Sequence, residues 1–86
     1  NRLVDRGGAL SAAIALAEEL AAFPQNCLRS DRLAAYEAWS MPLADAHANE
    51  FRRGMEVLVS GETERGLARF AAGEGRHGSF EAFKKR

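Results

Sequence analysis

Few side chains in this sequence have both the type and the spacing for chemistry. His47 and Glu50 stand three positions apart, which on a helix places two metal ligands on one face. A metal site needs more ligands than two, and His77 lies 30 residues further on in a loop. The pair reads as the edge of a helix face, and no metal is expected. Cys27 is the sole cysteine. No neighbour supplies the charge or the base that activates a thiolate, so a small buried hydrophobe is the expectation. Gly73, Gly75 and Gly78 reproduce the spacing of a dinucleotide-binding loop and enclose Arg76 and His77. That loop belongs between a strand and a helix, whereas this one follows a helix. Its amides with Arg76 and His77 still offer a cradle for a phosphate. Glu18, Glu19, Glu62 and Glu64 are adjacent or at helix starts, where solvation and the helix dipole explain acids without catalysis. No catalytic set is visible.

Composition narrows the function classes. Twelve basic and twelve acidic residues give zero net charge, which argues against a nucleic-acid partner or an anionic membrane. Arg29 and Arg32 lie beside a helix–turn–helix-like break, which could suggest DNA binding, but acids share the same helix. The basic residues concentrate only at Arg76-His77 and Lys84-Lys85-Arg86. A lone cysteine permits no internal disulfide and fits a reducing compartment. No apolar run reaches the roughly 18 residues of a membrane span, and no signal-peptide pattern opens the chain. A cytoplasmic, membrane-free location is expected.

The elements that carry these residues read as helices. Leu10, Ile14, Ala17 and Ala21, with Ala13, Leu16 and Leu20 beside them, form a wide apolar face on a helix from Ala9 to about Ala22. Pro24 stops it and suits the first turn of the next helix, which runs to Ala38 or Trp39 with Leu28, Ala35, Tyr36 and Trp39 on one face. Tyr36 and Trp39 read as core or interface. Ser40 or Met41 is the expected cap of a third helix, Pro42 to Val59, striped by Ala44, Ala48, Phe51, Met55, Leu58 and Val59. Ser60-Gly61 closes it. A short fourth helix from Glu62 to about Ala72 turns Leu67, Phe70 and Ala71 inward. The expected organisation is all-α with about four helices: a short extended lead-in over residues 1–8, a helical segment over 9–72 and a Gly-rich basic tail over 73–86.

A family resemblance runs through the same residues. The stretch Asn1 to Arg32 resembles the part of crotonase-family (enoyl-CoA hydratase/isomerase) proteins that follows their catalytic core, where a strand leads into an alanine-rich helix ending in proline and then a basic helix. Leu43 to Phe51 and Ser60 to Phe70 are similar to later family helices, and Arg69 to Phe80 resembles the ending of a bacterial subset. Arg65 departs from the pattern, standing where the family usually has Glu before Gly.

The resemblance implies that these residues are the C-terminal helical part of an α/β protein built from a spiral of ββα units. The opening residues, with Asn1 in place of Met, then read as the interior of a longer chain. Such proteins polarise an acyl-CoA thioester with an oxyanion hole, and hydratases add water with glutamates as acid and base. Those groups would precede Asn1, so this chain is expected to hold no catalytic residue and to be inactive alone. Coenzyme A thioester is then the substrate and no cofactor is implied. Helices in this position pack subunits, so a homo-oligomer, trimer or hexamer, is expected. Phe70, Arg76 and His77 are the residues placed to touch CoA. The alternative is a free-standing helical module that self-associates. A nucleic-acid-binding helical domain comes third.

Overall fold

The computed structural model describes residues 1–81. They form four α-helices, α1 (Ala9–Ala21), α2 (Gln25–Ala38), α3 (Leu43–Val59) and α4 (Glu62–Ala71), followed by a 3-10 turn at Arg76–Gly78. Among the described residues there is no strand, and the all-helical expectation holds to within a residue at each helix end. The chain ahead of α1 carries no regular structure beyond a turn at residues 6–7. The basic run Lys84-Lys85-Arg86 lies outside the described residues.

Helix ends follow local chemistry. Both prolines stand at N-cap positions, one step before the helices they start, where ψ of 111° at Pro24 and 149° at Pro42 keeps the backbone extended. Ser40 and Met41, expected to cap α3, do not. The Ser40 hydroxyl donates back to the Glu37 carbonyl at 3.1 Å. Gly61 takes φ of 78° to turn the chain from α3 into α4, a left-handed conformation that glycine reaches without strain. Gly73 ends α4 in a Schellman motif. Its N–H reaches the Phe70 carbonyl and the Glu74 N–H the Arg69 carbonyl, both at 3.0 Å, and its own φ is 105°.

Helices α2 and α3 pair as an antiparallel hairpin, and α4 returns across the end of α3 to the start of α2. Helix α1 makes only marginal contact with any other helix. The packing has no buried residue among those described. A chain of 9.4 kDa folded as a compact monomer would expose about 5,000 Å², and this one exposes 6985 Å². Its radius of gyration is 16.0 Å, where a compact domain of this length has about 12 Å.

The cause lies in which edges meet. The half-buried positions of α3 are Ala46, Asn49, Arg53 and Val57, and those of α4 are Glu62, Gly66 and Arg69. These edges are mostly small or polar. Most of the large apolar side chains point away. Trp39 is 91% exposed and Tyr36 68%, so neither is core. Leu67 and Phe70, expected to face inward, are 66% and 56% exposed. Helical periodicity located each stripe correctly, but the helices meet along other edges.

Candidate functional site

The residues that the sequence nominated for CoA fall at the end of α4. Phe70 sits in its last turn, and Arg76 folds back over it with the guanidinium carbon 5.8 Å from the ring centroid. This is within cation–π range. The same guanidinium caps the helix: Nε donates to the Phe70 carbonyl at 3.0 Å and Nη2 to the Ala71 carbonyl at 2.7 Å. Positive charge at a helix C-terminus is favourable, because the last carbonyls are unpaired and carry the negative end of the dipole. His77 follows with φ of 58°, left-handed and exposed. Phe70 and Arg76 therefore come together. His77 adjoins them through the chain, in a turn.

One side of Phe70 borders a shallow cleft whose other walls are Phe23, Pro24, Gly66 and Phe80. Phe23 and Phe80 meet edge to face, with centroids 5.1 Å apart and planes at 82°, the arrangement favoured by ring quadrupoles. Arg69 Nε donates to Glu74 Oε2 at 2.7 Å beside it, both side chains being largely covered. The break between α1 and α2 and the glycine-rich tail thus converge on the end of α4. Sequence spacing gave no hint that Phe23 would reach this group.

Cys27 was expected to be buried and is exposed. It lies in the first turn of α2, whose Pro24 and Gln25 offer no side-chain cap. The Glu62 carboxylate takes that place, accepting the Asn26 N–H at 3.0 Å and the Cys27 N–H at 2.7 Å. The Cys27 Sγ lies 3.8 Å from Asp31 Oδ2. Partial desolvation of the thiol, then the Asp31 and Glu62 carboxylates, raise its pKa above the ordinary cysteine value. A thiol so placed stays protonated near neutral pH and is a poor nucleophile.

Gln25, one residue before Asn26, turns the other way. Its Nε2 donates to the carbonyls of Leu20 at 3.0 Å and Phe23 at 2.9 Å, closing the end of α1.

The strongest polar cluster joins α2 to α3. Glu37 accepts from Arg53 Nε at 3.0 Å, from Arg53 Nη2 and from Asn49 Nδ2. The Arg53 hydrogen bonds, then that of Asn49, hold the Glu37 carboxyl below the usual carboxylate range, and Glu37 holds Arg53 above its own. Asn49 and Arg53 lie opposite the apolar stripe of α3, on a side that would ordinarily face solvent. They are instead its inward edge, and the pairing with Glu37 is the reason.

Elsewhere, Arg32 lies over the Tyr36 ring at 5.8 Å. Among the described residues no three His, Cys, Asp or Glu side chains converge as metal ligands, and His47 and Glu50 gain no third partner. No described helix is long and apolar enough to cross a membrane. Compared with family models, with curated proteins and with solved structures, the chain gives no match.

Proposed function

We propose that the chain serves as the C-terminal helical part of an enoyl-CoA hydratase-like protein, packing against a catalytic body and contributing Phe70, Arg76 and His77 to the rim of a CoA site. The observation that carries this reading is the uncovered apolar face of α1. Leu10, Ile14 and Leu20 line a face of α1 that no other helix covers. A helix with such a face gains its stability from packing rather than from propensity, so α1 needs a further surface. The resemblance of the motifs from Asn1 to Phe80 implies the kind of surface: the ββα spiral that precedes such helices in crotonase-like proteins.

The division of labour follows from the residues. Among the described residues no side chain has the setting of a general acid or base, so the reading assigns hydration chemistry to the body. Phe70 and Arg76 present an aromatic face and a cation at an exposed helix end, suited to an adenine or a phosphate. Arg76 already serves as a cap, so it is held in place before any ligand arrives.

The test is to express the complete coding sequence that contains this chain and to follow loss of the enoyl-thioester absorbance of crotonyl-CoA. Turnover is expected from that product, none from residues 1–86 alone, and a raised KM with little change in kcat from Arg76→Ala. Turnover by the 86-residue chain, or a start codon immediately before Asn1, overturns the reading. The second of these outcomes would favour a free-standing helical module that self-associates, which the exposed stripe of α3 also supports.

A further inference from the structure

Helix α3 is reversed relative to a self-sufficient hairpin. Its edge against α2 carries Asn49 and Arg53, committed to Glu37. Its free edge carries Ala44, Ala48, Phe51, Met55 and Leu58, all exposed, at successive intervals of four, three, four and three residues. That alternation repeats every seven residues, the period of a seam that two supercoiled helices share. Phe51 is 72% exposed, Met55 43% and Leu58 51%. Phe51, Met55 and Val59 line an open apolar depression with Arg52 and Glu56 at its rim.

We infer that this seam pairs with the same seam of a second copy of the chain, antiparallel, about a two-fold axis passing near Phe51. The order of side-chain volumes selects this occupant and this direction. Reversing the seam on itself about Phe51 sets Ala44 opposite Leu58, Ala48 opposite Met55, and Phe51 opposite its own copy. Each small residue on one copy receives a large one from the other, as dense packing requires. A parallel pairing would set alanine against alanine at two layers and leave both gaps unfilled. The two-fold arrangement is isologous and closes on itself.

Area and charge agree. The surface exposed beyond that of a compact chain is about 2,000 Å², and a stable standard interface takes about 800 Å² from each partner. The excess, spread over the seam of α3, the uncovered face of α1 and the chain ends, is larger than one such interface takes. Zero net charge removes repulsion between copies. At the rim, Arg52 and Glu56 are already paired within the helix at 2.9 Å, so closure leaves that pair intact. The inference does not draw on the acyl-CoA reading, and its readout is helix geometry, not turnover.

The experiment uses the full chain with Cys27→Ser as background. Chains carrying Ala48→Cys are mixed with chains carrying Met55→Cys under mild oxidation, alongside each alone. The mixture is expected to give a disulfide-linked pair, each variant alone to give little, and Phe51→Cys alone to cross-link at the axis. Phe51→Glu, with helicity checked by circular dichroism, is expected to raise the dimer dissociation constant at least about tenfold, since it places two carboxylates together in an apolar contact. Stronger cross-linking of each variant with itself would mean parallel pairing and overturns the inference. So does a chain that sediments as a monomer at all concentrations, or an assembly whose affinity Phe51→Glu leaves unchanged.

Discussion

Replacing Glu62 with alanine tests the joint on which the helix arrangement depends. Glu62 lies at the start of α4, yet its carboxylate accepts the Asn26 and Cys27 N–H groups, 36 and 35 residues away, at 3.0 and 2.7 Å. Helix α2 has no other side-chain cap at that end, because Pro24 and Gln25 supply none. Removing a side-chain N-cap costs about 1 kcal/mol, within a range of roughly 0.5–2. Water can reach this joint and replace part of the bonding, so about 0.5–1 kcal/mol applies. For a domain of this size such a loss lowers Tm by about 4–8 °C per kcal/mol, giving an expected fall of roughly 2–8 °C. The assay is thermal unfolding by circular dichroism, paired with amide exchange of Asn26 and Cys27 by NMR. Glu62→Ala should speed exchange at those two amides more than elsewhere in α2. Glu62→Gln, which keeps an oxygen acceptor without the charge, should fall between. If Tm is unchanged and both amides exchange as before, the cap is not made and α4 is not held to α2 in this way.

Two further outcomes follow from the titrating groups. Glu37 has a folded-state pKa below its unfolded value, so its pairing contributes above the ordinary carboxylate pKa, about 4.3, and fades as pH falls through the folded value. Glu37→Gln should therefore lower Tm at neutral pH, and the difference from wild type should shrink as pH falls below the ordinary carboxylate value of about 4.3 and vanish once the folded-state value is passed; a difference that persists unchanged at acid pH refutes the pairing. Cys27 has its pKa raised, so alkylation by iodoacetamide should be slow at neutral pH and still rising above the ordinary thiol value of about 8.5. A rate that levels off below that pH would contradict the placement of the thiol beside Asp31.

The punctuation of the fold is local and was therefore legible. Pro24, Pro42 and the Ser60-Gly61 pair divide the chain into helices that the structure reproduces, because each acts on its own few residues. The direction of the faces was not legible. A stripe of Phe51, Met55 and Leu58 says that α3 has an apolar side, and nothing in its period says what that side meets. The deciding contact, Glu37 with Arg53, spans two helices and looks like ordinary surface charge when read along the chain. The same holds for the candidate site. Phe70 and Arg76 are close in sequence and were nominated together, whereas Phe23 reaches the same cleft only through a turn of the whole chain. Cys27 was misjudged because a small apolar residue in an amphipathic helix suggests burial, and the first turn of α2 is instead open to Glu62.

The Glu37–Arg53–Asn49 cluster also has a meaning for the order of events. Its members are only 12 to 16 residues apart, and contacts so close in sequence form early and quickly. The hairpin can therefore set α3 in position before anything approaches its outer side. A partner that docks there meets a helix already rigid, and little freedom remains to be lost on contact. The charges facing inward thus fix the timing: they ready the apolar surface that lies on the helix's other side.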